Sequence, residues 1–194
     1  MRLKYNSPVI ISYTLICCIV SILITTLDGD TSVTQKIGPI GQIFSVGGDF
    51  DFSNPISYFR IFSHIIGHIN LMHFFNNFML ILLIGPILEE KYGSNKLLLM
   101  ILSTAIITGI IQTLFFGSLL LGASGIAFMM IVLISMSNFK SGEVPITFLL
   151  IAFLYLGKEV LESFSVQKDS VSHFAHITGG ICGGIFGFID SSKK

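Results

Sequence analysis

Six long apolar runs separated by polar breaks dominate the chain. They extend over about 8–27, 70–88, 96–116, 124–139, 144–161 and 171–189. Each is continuous, without the apolar–polar alternation of a barrel strand, and several lie near the short end of the roughly 17–25 residues a membrane-crossing helix needs. The pattern predicts an all-α membrane protein, a bundle of six transmembrane helices forming a single domain over 1–194. No internal repeat and no separate soluble domain interrupt it.

The segment from Asp28 to Ser63 is too long for a plain linker between helices. It carries Phe44, Phe50, Phe52, Phe59 and Phe62 together with Asp28, Asp30, Asp49 and Asp51. So many aromatic residues predict a loop lying partly in the membrane interface. A disordered extracytoplasmic loop is the alternative. At the N-terminus, Arg2 and Lys4 precede a 20-residue apolar stretch. It is longer than a signal-peptide core, and no small-x-small site follows cleanly, so a retained helix is expected.

Composition agrees with lipid as the solvent. The chain is 52% hydrophobic and only 11% charged, against about 25% charged residues in an ordinary soluble domain. The formal net charge is zero, which argues against nucleic acid as a partner. With the N-terminus inside, the cytoplasmic breaks hold Arg2, Lys4, Lys91, Lys96, Lys140, Lys193 and Lys194. The outer ones hold Lys36, Arg60, Lys158 and Lys168. This excess predicts both termini in the cytoplasm. Cys17, Cys18 and Cys182 all lie in apolar runs and fit no zinc spacing, so they read as core.

Polar groups within apolar runs are costly and mark function. In the second run Asn70, His73 and Asn77 share one helix face at i, i+3 and i+7, with Asn76 on a neighbouring face. No charged residue lies between Lys96 and Lys140, yet Ser124 sits there, between Gly122 and Gly125. It opens a helix, where backbone N–H groups are unpaired. In the last run His176, Gly180, Gly183 and Gly187 share a face that permits close helix packing. If that face meets the fourth helix, His176 comes within reach of Ser124. A serine nucleophile with a histidine base is acyl-transfer chemistry. His73, Asn77 and the Ser124 N–H are candidate donors to the oxyanion. No intramembrane carboxylate is placed to orient His176, so a dyad is expected, not a triad. His173 and His176 without a third ligand make a weak metal pair, and neither metal nor cofactor is expected.

Three motifs occur in order. His68-Ile69-Asn70-Leu71-Met72-His73-Phe74-Phe75-Asn76-Asn77 is followed by Gly122-Ala123-Ser124-Gly125 and by Ala175-His176-Ile177-Thr178-Gly179. Together they resemble the rhomboid intramembrane serine proteases, over about 57–190. The resemblance implies a six-helix core, Ser124 as nucleophile, His176 as general base, and His73 and Asn77 in the oxyanion hole. Phe128 stands where the family often has a tyrosine that buttresses the base. Phe59-Arg60 stands for the family's Trp-Arg pair, and Glu89 matches an acidic residue read as structural. Substrates would be single-pass membrane proteins, cut in or near their transmembrane segment through a cavity open to the outer face, with the fifth helix as gate. A bacterial plasma membrane is the expected location. The oligomeric state is left open, and so are the roles of His64 and His68. Two other functions compete. One is a catalytically silent binder of transmembrane segments, which typically lacks the serine or the histidine. The other is an ion-handling channel, disfavoured because the second run is apolar from beyond Asn77 to Leu88.

Overall fold

The computed structural model describes residues 6–29, 37–48, 50–136 and 173–191, with single positions at 146, 150 and 153. Its elements are α1 (Pro8–Leu23), α2 (Pro39–Ile43), α3 (Pro55–Ser63), α4 (Leu71–Tyr92), α5 (Ser94–Phe115), α6 (Ser124–Ser135) and α7 (His173–Ser191). Among the described residues the architecture is all-helical, with one isolated bridge pair and no strands. The fifth apolar run, over about 144–161, lies almost wholly outside the described residues, as do Lys140, Lys158, Lys168 and the final lysines.

Among the described residues three helices are long and apolar enough to cross a bilayer: Pro8–Asp28, Leu71–Tyr92 and Ser94–Phe115. Their outward faces carry Leu15, Ile19, Leu83 and Leu99, each more than half exposed. Such a belt would aggregate in water and suits lipid. The centre is α6, where every residue from Gly125 to Leu133 except Phe128 is buried. A helix apolar all round has no solvent face, and α6 packs against α4, α5 and, most extensively, α7.

Glycine sets the α6–α7 spacing. A Cβ on Gly179 would overlap the backbone of Gly125, one on Gly183 the Met129 carbonyl, and one on Gly187 would lie 2.8 Å from Met136 Cβ. The seam therefore runs through Gly179, Gly183 and Gly187, so Gly179 belongs to the tight face that the sequence pattern traced through Gly180.

Polar clamps hold the helix ends. The first helix opens at Pro8, whose missing N–H suits that position. The next two N–H groups, of Val9 and Ile10, donate to the Glu89 carboxylate at 3.0 Å each, and Ser94 Oγ donates to it at 2.7 Å. Glu89 is thus a buried cap for a helix eighty residues away. At its other end α1 widens into a π-turn, Ile24–Asp28. There Asp28 accepts from the N–H groups of Ile40 and Gly41 at 3.2 and 2.7 Å, capping α2.

The connection between α1 and α4 carries the two short helices and docks onto the bundle. Val46 and Leu120 exchange both backbone hydrogen bonds, at 2.9 and 2.7 Å. Gly47, at φ +106°, passes so close to the Ser118 carbonyl that a side chain has no room. In the same way Gly109 of α5 admits the Ile61 carbonyl of α3.

Candidate active site

The turn before α6 is Gly122-Ala123, with Gly122 at φ +129°, a conformation that favours glycine. Both of its N–H groups are occupied. Gly122 N–H donates to the His64 carbonyl at 2.9 Å, and Ala123 N–H donates to His68 Nε2 at 3.2 Å. Because that nitrogen accepts, the neutral His68 ring carries its proton on Nδ1. Nδ1 lies 3.2 Å from the Ile66 carbonyl and 3.3 Å from Ser21 Oγ. The Ser21 hydroxyl donates to the Cys17 carbonyl at 2.6 Å, leaving a lone pair for the ring. His64 is held likewise, with Nδ1 3.0 Å from the Ile61 carbonyl and Nε2 3.2 Å from Thr108 Oγ1.

These two buried histidines are the residues that sequence reasoning left without a role. They fasten the serine turn to α1, α5 and the loop before α4. Apart from the local Ile61 and Ile66 carbonyls, the partners of their side chains lie 44 to 55 residues away in the chain, and no local spacing signals such contacts.

Ser124 follows as the first residue of α6 and is half-buried. Its N–H, at the helix start, has no intrahelical acceptor. Across the seam, a Cβ on Gly125 would lie 3.2 Å from the Ala175 carbonyl. Ser124 and His176 are therefore the chain neighbours of two residues in direct contact. His176 is buried, and its ring stacks on Phe128 with centroids 4.4 Å apart and planes within 6° of parallel.

The fourth helix begins with Asn70 as cap, its side-chain oxygen accepting from His73 N–H at 2.8 Å. One turn on, the imidazole of His73 and the amide of Asn77 converge on Gly122. A Cβ there would lie 2.9 Å from His73 Nε2 and 3.7 Å from Asn77 Nδ2. Both residues keep a buried nitrogen, His73 Nδ1 and Asn77 Nδ2, with no hydrogen-bond partner among the described residues. A buried polar atom left unsatisfied costs about 1–3 kcal/mol, so each is a candidate to bind a ligand or water. Asn76 points outward and is exposed. His68 closes the cluster, its ring edge-on to His73 at 5.1 Å.

Ser124, His176, His73, Asn77, Gly122, Gly125 and Phe128 thus gather around one turn, although they come from three helices and the turn itself. Among the described residues no group of three metal-ligating side chains occurs.

The family model for the rhomboid domain matches residues 55–193. The chain belongs to the rhomboid family. The rhomboid protease GlpG of Serratia proteamaculans is 26% identical to it over 191 residues. That alignment takes in 96% of this chain and 64% of the relative's length. Family and apolar helices together make this rhomboid an integral membrane protein.

Proposed function

We propose that the chain is an intramembrane serine endopeptidase that cleaves membrane proteins in or near their transmembrane segments. His176 takes the proton of Ser124 as Oγ bonds to the peptide carbonyl carbon. The resulting oxyanion accepts hydrogen bonds from Asn77 Nδ2, from His73 and from the Ser124 N–H. His176 then gives its proton to the leaving amine as the C–N bond breaks. Water, activated by the same base, hydrolyses the acyl-serine and restores both groups.

The observation that carries this reading is the buried, unpartnered His73 Nδ1 and Asn77 Nδ2, on two side chains that both reach Gly122. Donors held without a partner are preorganised for a charge that exists only during reaction. The tie-up of the Gly122 and Ala123 N–H groups supports the same division of labour, since it leaves the Ser124 N–H as the turn's backbone donor. The charge bias of the sequence favours both termini in the cytoplasm, and the bacterial relative supports a bacterial plasma membrane.

The test is cleavage of a single-pass membrane reporter in proteoliposomes. The parent protein yields two fragments, while Ser124→Ala and His176→Ala yield none at equal folded protein. Binding of the reporter by the parent with no cleavage would favour a silent binder.

A further inference from the structure

The first helix contributes no residue to the candidate active site, yet one stripe of it is polar. Tyr13, Cys17 and Ser21 stand at i, i+4 and i+8, on one helix face. All three reach the segment between α3 and α4. The Tyr13 hydroxyl donates to the Ile65 carbonyl at 2.8 Å, and Cys17 Sγ lies 3.8 Å from the same oxygen. Ser21 Oγ lies 3.3 Å from Nδ1 of His68, the ring whose Nε2 accepts from the Ala123 N–H.

A hydroxyl in an apolar helix satisfies itself by donating to the carbonyl four residues back. Thr14 does so, to Ile10 at 2.7 Å. Ser21 does so as well, to Cys17 at 2.6 Å, but it is fully buried and also meets the imidazole. With its proton committed to Cys17, its oxygen faces the ring as an acceptor. The opposite tautomer of His68 would set two N–H groups, Nε2 and Ala123, against each other across 3.2 Å. It would also turn the Nδ1 lone pair on the Ile66 carbonyl oxygen, 3.2 Å away. The Nδ1–H is therefore shared between Ile66 and Ser21. Ile66 belongs to the ring's own segment, two residues away, so Ser21 is the hydrogen bond that ties the ring to a helix.

We propose that Ser21 is a positioning residue for the serine turn. It holds the Nδ1–H side of His68, so that Nε2 stays opposite the Ala123 N–H and the turn keeps Ser124 in register with His176. The proposal rests on the reading of Ser124 as nucleophile.

The experiment is a double-mutant cycle on the full chain with the membrane reporter. Ser21→Ala lowers kcat about 2–12-fold, as loss of one neutral hydrogen bond does, with KM unchanged. In the His68→Phe background the same change has no further effect, because Ser21 acts through the ring. A merely structural loss would carry over undiminished into that background. No loss in Ser21→Ala, a change in KM alone, or an equal factor in both backgrounds overturns the proposal. Ser21→Cys, close to serine in size but a weak acceptor, gives the same pattern and decides if Ser21→Ala does not fold.

A second readout needs no activity. With histidine labelled on its ring nitrogens, the NMR signals of His68 are those lost in His68→Phe. They show the proton on Nδ1, and Ser21→Ala moves that proton upfield as its hydrogen bond weakens. An unmoved proton overturns the proposal. If the parent cuts no reporter, the endopeptidase reading fails, and this resonance alone decides whether Ser21 holds the ring.

Discussion

The imidazole of His176 lies flat on the ring of Phe128, 4.4 Å between centroids and 6° from parallel. Phe128 stands one turn beyond Ser124 on the same helix, so the proposed base is fixed to the element that carries the proposed nucleophile. No hydroxyl is required for this stacking. Aromatic pairs contribute about 0.5–1.5 kcal/mol beyond their buried area. Phe128→Ala is therefore expected to lower kcat by about 2–12-fold. Phe128→Tyr, which keeps the ring, stays within about three-fold of the parent. Steady-state cleavage of a membrane reporter measures both. A larger loss in Phe128→Tyr than in Phe128→Ala would refute the stacking role.

Asn77 holds a buried amide nitrogen with no hydrogen-bond partner among the described residues. Its removal takes away a donor but breaks no hydrogen bond made by that nitrogen. Asn77→Ala is expected to lower kcat by about 10²–10³-fold, as loss of one oxyanion donor does, with residual activity from His73 and the Ser124 N–H. Thermal unfolding in detergent is expected to change little. A large drop in Tm with kcat preserved would make Asn77 a structural residue.

His68 acts on the site through the Ala123 N–H, 3.2 Å from its Nε2. It is a positioning residue. His68→Phe leaves that N–H without an acceptor and is expected to lower kcat about ten-fold with KM unchanged. His68→Gln, whose side-chain oxygen can accept, recovers part of the loss. A KM effect alone, or no rescue by Gln, would count against positioning.

The glycine seam makes a contrast within one helix. Gly179 faces the Gly125 backbone with no space for a methyl, whereas Gly184, among the described residues, meets only Val132 Cγ1, at 3.9 Å. Gly179→Ala is expected to destabilise the protein by about 1–3 kcal/mol. Gly184→Ala should be near neutral or slightly stabilising, since alanine favours a helix. Denaturant titration in mixed micelles reads both. Equal effects would mean that α6 and α7 do not meet backbone to backbone at Gly125 and Gly179.

Much of this architecture is legible along the chain because its signals are local. Continuous apolar runs mark the helices, and the glycines flanking Ser124 mark the turn. The i, i+4 spacing of His73 and Asn77 places both on one face of α4, and the same spacing sets Phe128 above Ser124. What the sequence hides is pairing between distant residues. Glu89 caps α1 across eighty positions, and Asp28 reaches forward to cap α2. His68 finds Ala123 only once the bundle has formed. The seam glycine is a subtler case. Gly179 and Gly180 lie 100° apart on the helix, and periodicity alone fits either to the tight face. The backbone of Gly125 places Gly179 on it.

The central claim is that Ser124 is an activated nucleophile. A fluorophosphonate probe, applied to the purified chain in detergent with the adduct located by mass spectrometry, tests it without any knowledge of the substrate. The account predicts an adduct on Ser124 in the parent that is absent in Ser124→Ala and lost in His176→Ala. A well-folded parent that takes up no probe, or takes it up on another residue, would contradict it.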